Sequence, residues 1–214
     1  MELTHAQLVD FLRSIHVRPG GTGAILNLIR VSEVRGATDV SALSDVVSDP
    51  KIKLDLARHA YDEARHGYIL LRRMGEVGFR SFRLPPELDR VEGLLASSRA
   101  RDVKQVYAER GSVEDAELME LLIAALIPER DAIAKFHANF DALTDDHRTQ
   151  SVIGSMLRDE DRHVAYLESW LRWFEGRFSA RAVKMARERL EDAFEQLTTV
   201  YYAGLNDYFA RTAA

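Results

Sequence analysis

Asp62-Glu63-Ala64-Arg65-His66 and Asp159-Glu160-Asp161-Arg162-His163 are two copies of one five-residue word, Asp-Glu-x-Arg-His, set 97 positions apart. Average residue usage yields a single such word in about one chain per thousand of this length, so a pair points to a duplicated chemical unit. On an α-helix, residues i and i+3 project from one face, which puts Glu63 beside His66 and Glu160 beside His163. One carboxylate and one imidazole per helix supply most of a half-site for a non-haem metal ion.

The spacing repeats as well as the word. Glu33 lies 30 residues before Glu63, and Glu129 lies 31 before Glu160. Each interval reads as a helical hairpin. In the first, the chain runs from Glu33 to Asp49-Pro50, where a proline can open a helix but not continue one. Glu33 stands 17 residues before Pro50 and Glu63 stands 13 after it. At ~1.5 Å per residue, antiparallel neighbours bring both carboxylates to a similar depth. The polar stretch Thr144-Asp145-Asp146 divides the second hairpin near its middle. Two such hairpins converge four glutamates and two histidines at mid-bundle, where burial of four carboxylates without a cation would be severely unfavourable. A single Glu-x-x-His is most often a solvated helix face; six ligand-type residues in matched order have no simple structural explanation.

Composition agrees. With 214 residues, 46% of them hydrophobic, the chain can bury one substantial core and is read as a single domain over 1–214. Apolar residues recur at helical spacing, as in Leu121, Leu122, Ala125, Leu126, Ala132, Ile133 and Phe136, and nothing reads as a strand hairpin. The expected fold is all-α. A net charge of −5 with mixed signs offers no basic stripe for nucleic acid, and the longest apolar run, Leu121 to Ile127, is too short to span a bilayer. Met1 to His5 begin an amphipathic helix without a secretory pattern, so a cytoplasmic location is expected. Cysteine is absent, which excludes disulfides, thiolate catalysis and an iron-sulfur or rubredoxin-type site within these residues. Electrons would come from an external donor, a reductase or ferredoxin.

The coarse map has an N-terminal helix over 4–16, broken by Arg18-Pro19-Gly20-Gly21, then bundle helices over 21–48, 51–77, 112–143 and 147–175. A crossover of 34 residues with a short helix over 87–98 returns the chain between the second and third bundle helices. A last amphipathic helix over 179–210 covers the bundle or a partner, as in a homodimer. Pro128, directly before Glu129, should kink or bulge its helix.

With Glu33, Glu63-x-x-His66, Glu129 and Glu160-x-x-His163 in this order, residues 21–175 resemble the ferritin-like di-iron carboxylate superfamily, a four-helix bundle with a long crossover. The superfamily spans bacterioferritins, rubrerythrins, ribonucleotide reductase small subunits, desaturases, methane monooxygenase hydroxylases and aldehyde-deformylating oxygenases. The Asp-Glu-x-Arg-His form is similar to its oxygenase and oxidase branch, and the segments around Glu129 and Glu160 look somewhat like aldehyde-deformylating oxygenases. The resemblance implies two Fe ions, with Mn/Fe or two Mn ions fitting the same ligands, and O₂ as co-substrate for oxidation of a small or chain-like organic molecule. It implies metal ligation and catalysis at Glu33, Glu63, His66, Glu129, Glu160 and His163. Glu33 and His66 would serve the first iron and His163 the second, with Glu63 and either Glu129 or Glu160 bridging, Glu63 and Glu160 being preferred. Asp62 and Asp159 would orient the imidazoles across the two motif helices, held by Arg65 and Arg162. The alternatives are a ferroxidase or iron-storage protein resembling bacterioferritin and a peroxidase resembling rubrerythrin.

Three further readings concern neighbours of these residues. His59 and His137, near the ligand faces, are each read as a core histidine in preference to a third imidazole ligand or proton relay. Gly36, Ala37, Ala125 and Ala132 either leave room for substrate or permit close helix packing. Tyr166, Trp170, Trp173 and Phe174 are expected in the core, and Leu70, at the offset usual for a radical tyrosine, argues against a stable tyrosyl radical.

Overall fold

The computed structural model describes residues 3–212. Met1 and Glu2, at the start of the segment read as amphipathic, lie outside the described residues, as do Ala213 and Ala214. Within them the chain forms eight α-helices and one 3-10 turn, without strands. Helix α1 is His5–His16, α2 Gly21–Val46, α3 Pro50–Glu76, α4 Arg90–Ser97, α5 Val103–Arg110, α6 Asp115–Ala142, α7 His147–Arg177 and α8 Ala180–Thr212.

Local chemistry sets the hairpin corners. The Asp49 side chain accepts from the N–H groups of Lys51 and Ile52 at 2.8 and 3.1 Å, and Pro50 occupies the first turn of α3. Asp146 caps α7 through the Thr149 N–H and also receives Arg73 of α3 at 2.9 Å, so the cap joins the two motif helices at one end. Pro128 sits within an unbroken α6, where it deprives the Ala124 carbonyl of its usual i+4 donor.

Helices α2 and α3 pack as one hairpin and α6 and α7 as the other, and α3 also contacts α7. Two apolar clusters fill the bundle. One contains Val40, Leu56, Leu122, Leu126 and Leu167; the other contains Leu26, Leu70, Phe136 and Met156. Following each helix through both gives its direction: α2 and α7 run from the second cluster to the first, α3 and α6 from the first to the second. Since α3 and α6 are parallel, the chain must travel back along the bundle between them, and residues 77–114 do so. This crossover contains the expected short helix as α4, preceded by the turn Pro86–Leu88, and a second helix, α5, whose only buried residue is Val106. Helix α8 lies over α4, α6 and α7, and α1 closes against α6 and α2. No helix among the described residues is long and apolar enough to cross a membrane.

The two clusters leave a gap between them on every bundle helix. Glu33 falls between Ile29 and Val40, Glu63 between Leu56 and Leu70, Glu129 between Ile127 and Phe136, and Glu160 between Met156 and Leu167. A layer of acids is thus clamped between two layers of aliphatic side chains, each fully buried leucine of which contributes ~1.5–3 kcal/mol.

Candidate metal centre

All six residues expected as ligands meet in that layer, with a seventh, His59. Two groups of four side chains each offer ligand-type atoms within 4.8 Å of one another: Glu33, Glu63, His66 and Glu160; and His59, Glu63, Glu129 and His163. Glu63 belongs to both. Glu160 also spans them, with one carboxylate oxygen 3.2 Å from His66 Nδ1 and the other 3.3 Å from His163 Nδ1. Glu129 alone is partly exposed; the other six are buried.

His59 is buried, as expected of a core histidine, and also joins the layer of ligand-type side chains. Its Nε2 lies 3.1 Å from Glu129 and 3.4 Å from Glu63, while its Nδ1 contacts the Tyr166 hydroxyl at 2.7 Å. It stacks on His163 with ring centroids 3.7 Å apart. The signal was its position four residues before Glu63, on the same helix face. His137 is exposed and stands outside the site. Tyr166 becomes a partner of His59; Trp170 donates to Asp55 at 2.8 Å, Phe174 is fully buried, and Trp173 is 42% exposed.

The outer contacts cross between the motif helices. His66 on α3 presents Nε2 to Asp159 of α7 at 3.2 Å, and His163 on α7 presents Nε2 towards Asp62 of α3 at 3.5 Å. Arg162 reaches both aspartates, at 2.5 Å for Asp62 and 2.7 Å for Asp159, and Arg65 pairs with Asp159. A proton held on His66 Nε2 by Asp159 leaves its Nδ1 lone pair facing the glutamates, the tautomer a metal ligand needs, whereas His163 Nε2 stands near Asp62 without a hydrogen bond.

The electrostatics are those of a site short of positive charge. Burial, then mutual repulsion among the carboxylates, pushes Glu33 and Glu63 well above the ordinary glutamate range, and Glu160 upward. Burial also opposes charge on Glu129, yet the nearby His59 and His163 hold it well below that range. Burial disfavours imidazolium, but the surrounding carboxylates overcome it and raise His59 and His66, and lift His163 to about 9. Two buried atoms that face the cluster, His59 Nε2 and Glu160 Oε1, lie 3.1 and 3.2 Å from Glu129 and His66 but outside hydrogen-bonding geometry. Four carboxylates carry the charge that two divalent cations neutralise, and mixed carboxylate and imidazole donors suit iron or manganese. The donor set and these atoms fit a metal ion in each group.

One wall of the layer opens into a cavity of about 750 Å³ reached by Glu33, Glu63, Glu129 and Glu160 and extending under α1 and α8. Gly36 and Ala132 line it, while Ala125 packs in the core. A Cβ at Gly36 would lie 2.9 Å from Glu63 Oε2, so the absent side chain makes room for that carboxylate.

Comparison of the chain with protein-family models, curated proteins and solved structures gave no match.

Proposed function

We propose that this chain is a ferritin-like di-metal oxidase or oxygenase that holds two iron ions and uses O₂ to oxidise a small or chain-like organic molecule. The carrying observation is the pair of buried four-residue groups that share Glu63 at one wall of a large cavity. Glu33 and His66 would hold one ion, His59, Glu129 and His163 the other, with Glu63 and Glu160 reaching both. Bound iron would supply the redox chemistry with O₂, its electrons coming from an external donor.

The protein's own part follows from its contacts. Asp62 and Asp159 fix the faces that His163 and His66 present, Arg162 ties the two aspartates together, and Tyr166 holds the His59 ring. With Nε2 committed to a metal, His59 Nδ1–H donates to the Tyr166 oxygen. Leu and Ile side chains of α1 and α2 on the cavity wall exclude water and accept an apolar body. These apolar side chains on the wall beside the glutamates favour an organic substrate over iron storage.

The test is metal content per chain after anaerobic loading with Fe(II) and desalting, followed by O₂ uptake. About two irons per chain and O₂ consumption without accumulation of ferric mineral support the oxidase reading. Retention of many irons per chain selects the ferroxidase reading, and a chain that binds no metal refutes both.

A further inference from the structure

Five cationic side chains line the cavity, Arg35, Arg83, Arg90, Lys104 and Lys135, and two of them, Arg90 and Lys135, form a pair that the metal layer does not use. Arg90 begins α4 in the crossover, and Lys135 lies on α6 six residues beyond Glu129, about 9 Å along the helix axis. They share one carboxylate, Asp131, which Arg90 contacts and to which Lys135 Nζ donates at 2.6 Å. The remaining surroundings are aromatic faces. The Arg90 guanidinium lies 4.2 Å from the Tyr201 ring centre and 4.5 Å from that of Phe194, and Lys135 Nζ lies 4.5 Å from Tyr201. Arg90 also donates to Thr198 at 3.0 Å.

Arg35, on another wall of the cavity, shows the contrast. That one cation faces three carboxylates, Asp39, Asp89 and Glu92. At Arg90 and Lys135 the ratio is reversed, two cations to one carboxylate, and Lys135 has Asp131 as its sole oxygen partner among the described residues. Cation–π contact offsets part of the cost of such a surplus, about 0.5–2 kcal/mol per pair, but provides no anion. Enclosure, aided by the charge of Arg90, lowers the Lys135 ammonium to about 8 despite Asp131. The surplus therefore stands in a wall of the space that leads to the glutamates, with the apolar Ala132, between Lys135 and Glu129 on α6, and Phe136, next to Lys135, also in that wall.

We propose that the cavity binds an organic monocarboxylate with an apolar body, its carboxylate held by Lys135 and Arg90 and its hydrocarbon chain laid along α6 towards Glu129. Which end is oxidised rests on the oxidase reading above: the position farthest from the carboxylate would lie nearest the metal layer. Recognition of the acid itself does not require that reading.

The test is isothermal titration of the full chain, before loading and after loading with two equivalents of redox-inert Zn(II), using octanoate, whose extended chain spans the distance, and neutral octanamide. Octanoate should bind at least about tenfold more tightly than the amide. That preference should vanish in Lys135→Met, which keeps the apolar stem, and persist in Lys135→Arg. 4-Butylbenzoate in place of octanoate separates an aromatic from an aliphatic body, and acid preference with either supports the site. Equal binding of acid and amide by the wild type, binding of neither, or a preference that survives Lys135→Met would overturn it; a trio that only fastens α4 and α6 beneath α8 predicts one of these. If Lys135→Met does not fold, the wild-type comparison decides alone. Acid preference in a chain that retains no zinc would leave this site standing and remove the di-metal reading; two bound zinc ions without acid preference would do the reverse.

Discussion

Replacing Gly36 with alanine sets two effects of opposite sign against each other. Within the interior of α2, alanine is favoured over glycine by ~1 kcal/mol through helix propensity and the restricted unfolded chain. Its Cβ, however, would stand 2.9 Å from Glu63 Oε2 and 3.4 Å from Cδ, so the carboxylate must retreat by about half an ångström to reach ordinary contact. Ligand distances in metal sites are held to roughly ±0.2 Å. Glu63 belongs to both groups, so one displacement should weaken both ions. The expected result is a metal-free protein whose stability stays within about 1 kcal/mol of wild type, with affinity for Fe(II) or Zn(II) down by roughly 10–100-fold, the range found when a ligand's support is lost. Competition with a chromophoric chelator measures the second quantity, and denaturant unfolding in excess chelator the first. Gly75→Ala is the control, because a Cβ there meets nothing within 4 Å. Unchanged metal affinity in a folded Gly36→Ala protein would refute the reasoning.

Tyr166→Phe removes the hydroxyl 2.7 Å from His59 Nδ1; metal titration should show the ion at the His59 group weakened about tenfold while the other is spared, and equal weakening of both would count against the division into two groups. Leu122→Ala, at a fully buried position in the first apolar cluster, should cost 2–5 kcal/mol in denaturant unfolding, and a loss below ~1 kcal/mol would mean that the core there is loosely packed. In metal-free protein, the contribution of Lys135, read as the stability of wild type minus that of Lys135→Met, should rise with pH from about 8 towards 10; His163, raised to about 9, acts the other way in both proteins and cancels in this difference. There the folded Lys135, at about 8, has lost its proton, while the unfolded lysine, near 10.5, keeps it, so the unfolded state binds more protons and the slope is positive. The gain in that difference is roughly 2–3 kcal/mol by linkage, and a difference that does not change with pH would count against it. Above 10 both proteins should lose stability, because buried Tyr166, pushed up to about 12, and Tyr201, also raised by burial, stay neutral when folded but ionise when unfolded.

The helical architecture was legible because punctuation and periodicity agreed: Pro50 opens α3 beneath an aspartate cap, and the polar stretch ending at Asp146 separates α6 from α7. The convergence of Glu33, Glu63, His66, Glu129, Glu160 and His163 was legible because their spacing is written twice. His59 was not, and the reason is specific. Its counterpart four residues before Glu160 is Met156, so the repeat that flagged the other residues is silent there. Helix α5 escaped notice because it buries a single side chain, Val106, and so lacks an apolar stripe. The cationic pair was beyond reach for another reason. Arg90, Asp131 and Lys135 belong to segments brought together only by the crossover, and charged residues in sequence look like solvated faces until something covers them.

Arg162 touches the aspartate of its own motif and that of the other, and each aspartate faces the histidine of the opposite helix. The duplicated word is therefore cross-wired: neither copy keeps its own histidine in place. This bears on how the sequence can change over generations. A substitution at Asp62 is felt at His163, on the other hairpin, and one at Asp159 is felt at His66, so neither motif can drift alone while the site is under selection. The two hairpins are inherited as one unit although 97 positions separate their words. Exchange of a single hairpin with a distant homologue should fail unless its Asp and Arg travel with matching partners.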